Sequence, residues 1–272
     1  MKIRIDDDFD LKKIADSGQC FRFNECGDGY SVAALDRHLF IKEVSGSEYE
    51  LDCDRKDFDD FWRSYFDLDT SYKDIRGRID KEDEYLSSAA NYGKGIRILR
   101  QDPWEMLISF IVSQRKNIPA IKASIEKLCA LTGRVIEKNA NGDNIYAFPK
   151  PGEIAALSDS QLSACGLGYR DKYVKKAAID VLNGEAELYK WQELSDADLM
   201  ERLLKLFGVG VKVANCEILF GYHRLDAFPK DVWINRVLES KYPKGFPFKR
   251  YEPYNGVMQQ YLFFHSRNNG TE

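Results

Sequence analysis

The sequence predicts an α+β protein: an N-terminal antiparallel β-sheet followed by a larger, mostly α-helical body. Three observations lead there. Short runs with partial apolar alternation and β-branched or aromatic content crowd the first half-hundred residues. From about Asp57 onward the apolar spacing turns helical. Near the C-terminal third, Gly208 and Gly210 punctuate two apolar helical stretches and predict a tight hairpin between them. The expected division is a sheet domain over residues 1–85 and a helical region over 86–272.

Tyr30–Leu35, His38–Val44 and Glu48–Cys53 read as strands, separated by Gly, Asp, Arg and Ser. The helix starts are marked by their caps. Asp102–Pro103–Trp104–Glu105 offers an N-cap, a proline at N1 and a glutamate at N3. Asn117–Ile118–Pro119 starts a helix that stops at Gly133, and Ser158–Asp159–Ser160–Gln161 forms a capping box for a short helix ending at Cys165–Gly166. Tyr169–Leu182 is amphipathic and basic and ends near Gly184. Ser195 caps a helix expected to run to Phe207. Val211–Phe220, Asp231–Leu238 and Val257–His265 complete the set.

The 272 residues suffice for one large domain or two smaller ones. No stretch approaches the roughly 18 apolar residues of a membrane span, and Met1–Asp6 lacks the apolar segment of a signal peptide. A cytoplasmic protein is expected. Its cysteines (Cys20, Cys26, Cys53, Cys129, Cys165, Cys216) form no C-x-x-C pair, so they predict neither a zinc site nor an iron–sulfur cluster. The net charge of −4 argues weakly against a nucleic-acid partner, but it is uneven. Residues 1–84 hold 14 basic and 23 acidic side chains, a net −9, which leaves +5 on the remainder. A DNA-binding surface would therefore lie on the C-terminal part, and ordinary solvated surface accounts for the asymmetry equally well.

The richest stretch is Leu203–Ala214. One helix ends, Gly208–Val209–Gly210 turns, and Val211 opens the next. Backbone N–H groups at such a turn face outward and suit a phosphodiester without a side-chain charge. A plain corner between two helices explains the same glycines. Lys212 lies in the first turn of the second helix, within an apolar run, where the positive end of the helix dipole and partial burial both favour the free, nucleophilic amine. A lysine stem lying along apolar surface is the alternative. Asp231 follows nineteen residues later, after Phe228–Pro229–Lys230, at a helix N-cap. Besides capping, its carboxylate could offset positive charge developing at a sugar C1′.

Gly208–Val209–Gly210–Val211–Lys212–Val213–Ala214–Asn215–Cys216, with Phe228–Pro229–Lys230–Asp231–Val232, resembles the helix–hairpin–helix glycosylase superfamily, and within it the 8-oxoguanine DNA glycosylase/AP lyases. Ser17–Gly18–Gln19–Cys20–Phe21–Arg22, Gln101–Asp102–Pro103, Gly166–Leu167–Gly168–Tyr169–Arg170 and Gln259–Gln260–Tyr261–Leu262–Phe263 fit in order, so the resemblance spans residues 17 to 263. It implies a TBP-like N-terminal sheet partly completed by C-terminal helices, and a monomer that acts on double-stranded DNA containing an oxidised purine. Lys212 would be the Schiff-base lysine and Asp231 the catalytic aspartate. Gly18 would accept a hydrogen bond from N7–H of 8-oxoguanine, Gln259 would read the Watson–Crick edge, and Cys216 and Phe263 would sandwich the base. Arg115, Asn117, Tyr169, Arg170, Gly208, Gly210, Val211 and Trp233 would contact DNA, Tyr169 as a wedge. No cofactor is implied for catalysis, but the carbonyls of Leu204, Leu206 and Val209 would hold a monovalent cation.

The sequence departs from eukaryotic members in ways that look bacterial or archaeal. Arg115 stands where they carry a gap-filling asparagine, Ala120 where they carry an arginine that reads the orphaned cytosine, and Trp233 where they carry a histidine. Weak preference for the base opposite the lesion follows. Two other readings stay open: a related glycosylase for other damaged purines or adenine, and a non-catalytic DNA-binding module. The Lys212/Asp231 pair and the lack of four clustered C-terminal cysteines weigh against them.

Overall fold

The computed structural model describes residues 1–139 and 142–270. Five strands, β1 (Lys2–Arg4), β2 (Phe23–Cys26), β3 (Gly29–Ala34), β4 (Arg37–Ser45) and β5 (Glu48–Leu51), form an antiparallel sheet in the order β1-β5-β4-β3-β2. The three expected strands are the central ones. Both edges are additions: β1 and β2 have three and four residues, too few for a readable alternation. β5 stops at Leu51, short of Cys53, because Asp52 accepts a hydrogen bond from the Phe40 amide at 2.6 Å and turns the chain. Across the sheet, Phe23 pairs with Val32, Val32 with Leu39, and Ile41 with Leu51. These side chains are buried against Ile14, of the unforeseen Leu11–Asp16 helix, and against Trp62 and Phe66.

This first core draws on residues from Ile5 to Phe66 plus Leu99. A second, larger core runs from Tyr72 to Phe264, with Phe21 joining it from the N-terminal part. Its centre is the Pro103–Ser113 helix, which is buried along most of its length. Asp102 caps that helix through the Trp104 and Glu105 amides, but Glu105 does not return the bond. It accepts instead from the Leu35 amide at 2.8 Å and ties the helix to the sheet. A small two-stranded sheet, Val135–Lys138 with Asn144–Tyr146, also lies in the second half. The Asn255–Asn269 helix packs on Glu84–Tyr92 and Val232–Lys241, and so carries Phe263 toward the N-terminal segment.

Arg97 joins the two parts. Its side chain is fully buried, and five acceptors surround it: the carbonyls of Phe66, Asp8, Asp67 and Thr70, and the Asp7 carboxylate. The guanidinium also lies 4.4 Å from the Tyr72 ring centroid. A buried arginine with every edge satisfied is stable, whereas removing it strands its acceptors. Arg97→Met is expected to lower unfolding free energy in urea by about 3–5 kcal/mol; a loss below about 1 kcal/mol would show that these contacts hold nothing together.

Candidate active site

The hairpin is built from local signals. Ser195 caps the Asp196–Leu204 helix through the Asp198 amide. The helix ends at Leu204 rather than Phe207, because Lys205 and Leu206 donate to carbonyls three residues back and tighten its last turn. Gly208 has φ +85°, and a Cβ there would lie 2.3 Å from Cγ of Tyr173, so only glycine fits under that ring. Gly210 is the N-cap of the Val211–Cys216 helix, with Val211 exposed at its tip. Leu206 and Val209 are buried beneath the turn and Leu204 is partly exposed. From across the molecule, Gln114 Nε2 donates to the Gly208 carbonyl at 3.0 Å.

Beside the hairpin opens a cleft of about 870 Å³. Lys212 and Asp231 both line it, together with Gly18, Phe263, Arg115, Asn117 and Trp233. Lys212 is half-buried, with Nζ 5.2 Å from the Phe110 ring centroid. Asp231 caps the Val232–Lys241 helix and accepts from the Ile234 amide at 2.8 Å, which fixes its carboxylate at the cleft wall. Gly18 has φ +75°, and a Cβ there would meet Phe263 Cε1 at 3.2 Å, so the backbone lies against the aromatic ring. Asn117 caps the Ile118–Thr132 helix through the Ala120 amide. Arg115 is exposed in the left-handed region at φ +48°. A lysine amine, a fixed carboxylate and an aromatic wall closed by backbone thus share one opening, beside the glycine hairpin.

Residues 2–107 match the family model of the 8-oxoguanine DNA glycosylase N-terminal domain, and residues 108–243 match that of HhH-GPD superfamily base excision DNA repair proteins. The chain belongs to the HhH-GPD superfamily. Saccharomyces cerevisiae N-glycosylase/DNA lyase is 30% identical over 261 residues, which cover 85% of this chain and 68% of that protein. The structure of MBOgg1 in complex with a low-affinity DNA ligand superposes with a TM-score of 0.93 at 40% identity, covering 99% of this chain and 96% of that one. Clostridium acetobutylicum 8-oxoguanine glycosylase/lyase, in complex with double-stranded DNA containing cytosine opposite 8-oxoG, gives 0.88 at 32% identity, covering 99% and 98%.

The remaining site residues of this HhH-GPD chain sit around the cleft rather than in its wall. Cys216 is buried one turn below Lys212; burial raises its thiol pKa and the neighbouring lysine opposes the rise. Gln259 is buried, its side-chain oxygen accepting from Gln260 at 3.1 Å. Tyr169 is half exposed, whereas Arg170, expected at the opposite strand, points inward and is 7% exposed. Phe110, Gln114, Lys116, Lys230 and Arg267 also line the cleft and were not singled out from sequence. Arg267 had a usable signal: it lies four residues after Phe263 on the same helix face, with its guanidinium 5.5 Å from that ring.

Directly after the lysine-bearing helix, Glu217–Gly221 adopts a π-helical turn where the apolar run predicted continuous α-helix. Glu217 is fully buried there and neither carboxyl oxygen has a hydrogen-bond partner. Burial raises its pKa well above the ordinary glutamate value of 4.5, and the Asp102 charge adds to the rise. The folded chain therefore holds a proton that the unfolded chain releases above pH 4.5. This contribution is complete below that pH and is lost as pH rises toward the folded value. Glu217→Gln removes the dependence, so its stability advantage over wild type should grow between pH 5 and 8, by about 1.4 kcal/mol per unit at most. A difference in denaturation midpoint that stays constant with pH would contradict a protonated Glu217.

Proposed function

We propose that this HhH-GPD protein is a bifunctional DNA glycosylase/AP lyase that excises 8-oxoguanine from duplex DNA through Lys212. The observation that carries the reading is the single cleft in which Lys212 and Asp231 face Gly18 and Phe263, beside the glycine hairpin. The hairpin amides grip a backbone phosphate without reading sequence. The duplex kinks, Tyr169 fills part of the gap, and the damaged purine swings into the cleft. There the Gly18 carbonyl accepts from N7–H, a proton guanine lacks, so one bond separates lesion from normal base. Phe263 and Cys216 flank the base and Gln259 meets its Watson–Crick edge.

The neutral Lys212 amine attacks C1′ and the C1′–N9 bond breaks, releasing the purine. Asp231 offsets the positive charge at C1′ and assists proton movement. Opening of the sugar leaves a protonated Schiff base between Lys212 and C1′. Loss of a C2′ proton then expels the 3′ phosphate and nicks the strand by β-elimination. No cofactor takes part. The hard carbonyl oxygens of Leu204, Leu206 and Val209 suit a monovalent cation that would brace the hairpin; Leu206 O already accepts from the Val209 amide at 3.1 Å. Among the described residues no helix is long and apolar enough to cross a membrane, and the site of action is the chromosome in the cytoplasm.

Single-turnover assays on 8-oxoguanine duplexes test the roles. Lys212→Gln should abolish both base release and nicking. Asp231→Asn should slow release by about 10²-fold or more while melting near wild type, since an asparagine still caps the helix. Full activity in either variant refutes its assignment. Because Arg115 stands at the position of the residue that fills the gap opposite the orphaned base and Ala120 at that of the residue that reads it, excision should proceed at similar rates opposite all four bases. A strong cytosine preference would contradict this.

A further inference from the structure

Away from the cleft, His38, Asp52 and Glu137 bring one imidazole and two carboxylates together. One ligand atom from each lies within 4.8 Å of the other two. The three come from separate elements: His38 from β4, Asp52 from the turn after β5, and Glu137 from the Val135–Lys138 strand of the helical half. His38 Nδ1 stands 2.9 Å from Glu137 Oε2, and the ring is buried, with 5% of its side chain exposed. Asp52 and Glu137 are exposed, so a hydrated ion can reach the cluster.

Neighbouring groups aim these side chains. Ser31 Oγ lies 2.8 Å from His38 Nε2; with the proton on Nε2, the serine accepts it and the Nδ1 lone pair faces the carboxylates. One Asp52 oxygen accepts from the Phe40 amide, and the Asp52 amide donates to Phe40 O at 3.1 Å, so that carboxylate hangs from fixed backbone. The register of Val135–Lys138 against Asn144–Tyr146 shifts between Val135 and Glu137, an irregularity of the kind that re-aims a side chain. The partner strand is held to the N-terminal half independently. Arg22 Nη2 donates to Tyr146 O at 2.6 Å, and the Phe148 amide to Leu35 O at 2.6 Å. The donor set is therefore assembled before any ion arrives, which lowers the cost of binding. Zinc bonds of about 2.0–2.1 Å set tetrahedral ligand atoms about 3.3 Å apart, and small rotations of the two exposed carboxylates reach that spacing.

We propose that His38, Asp52 and Glu137 bind a divalent cation of the zinc class, with water completing its coordination, and that the ion fastens the N-terminal sheet to the helical half. An imidazole beside two carboxylates suits zinc, whereas magnesium and calcium take sets of oxygen alone. None of the three residues lines the cleft, so the ion acts on stability and takes no part in base release.

The full chain, free of any histidine tag and treated with chelator, would be titrated calorimetrically with Zn²⁺ and with Mg²⁺. Histidine-ring NMR and thermal melting with and without zinc complete the comparison. The chain has three histidines, so His38→Gln assigns the His38 signals by difference. The expected result is one equivalent of Zn²⁺ bound in preference to Mg²⁺, a change confined to the His38 ring, and a melting temperature that rises with zinc concentration. His38→Gln and Glu137→Gln should lose the site, and Ser31→Ala should weaken it by about 10–100-fold. If His38→Gln fails to fold, Glu137→Gln and Asp52→Asn decide on the same readouts. Absence of saturable zinc binding overturns the proposal, and equal affinity for Mg²⁺ overturns the zinc class. Binding that leaves the His38 ring unmoved, or that survives these substitutions, also overturns it; a thiolate-to-cobalt charge-transfer band after cobalt substitution would then place the metal on the free cysteines.

Discussion

Gly208 is the constraint on which the site depends. Tyr173 occupies the space where any other residue would place its Cβ, and the left-handed backbone excludes the alternatives twice over. Because the hairpin can seat directly on that ring, the Val211–Cys216 helix starts at a fixed place and angle. Lys212, one residue into it, then lands over Phe110 at the cleft wall. The Gly208 carbonyl is left free to accept from Gln114, which registers the hairpin against the turn on the far side of the opening. A substituent at this one position would move the lysine, the hairpin and the rim together.

The charge distribution has two explanations at different scales. Part of the acidic surplus of the N-terminal region is taken up in ion pairs with basic residues further along the chain. Asp7 and Asp67 pair with Arg97 and Arg100, and Asp80 with Arg250, so acid from the first part neutralises base from the second. Arg22 and Glu126 reverse the direction of the same exchange. The asymmetry therefore helps to join the two cores as well as leaving basic charge on the helical body. Around the cleft, Arg115, Lys116, Lys212, Lys230 and Arg267 face two carboxylates, Asp16 and Asp231, a balance suited to a polyanion.

What the sequence made legible was what depends on neighbouring residues. Asp102, Asn117, Ser158, Ser195 and Asp231 all cap the helices they were expected to cap, because a cap is a bond three residues long. Strands of three residues, such as β1, were invisible because their stability comes from the partner strand and not from a pattern of their own. The π-turn at Glu217–Gly221 was hidden by an apolar run that reads as plain helix. The overlong estimate to Phe207 had the same origin, since Leu206 and Phe207 continue the apolar period after the backbone has already tightened. The site followed this division too. Lys212 and Asp231 stood out by chemistry against their local surroundings, whereas the inward turn of Arg170 depends on a carbonyl fifty-six residues away.

Three lysines line the cleft, Lys116, Lys212 and Lys230, and the account stands on one of them being the nucleophile. Borohydride reduction of the enzyme during turnover of an 8-oxoguanine duplex, followed by digestion and mass mapping of the cross-linked peptide, identifies it directly. A single adduct on Lys212 is expected. An adduct on Lys116 or Lys230, or base release with no reducible intermediate at all, would contradict it.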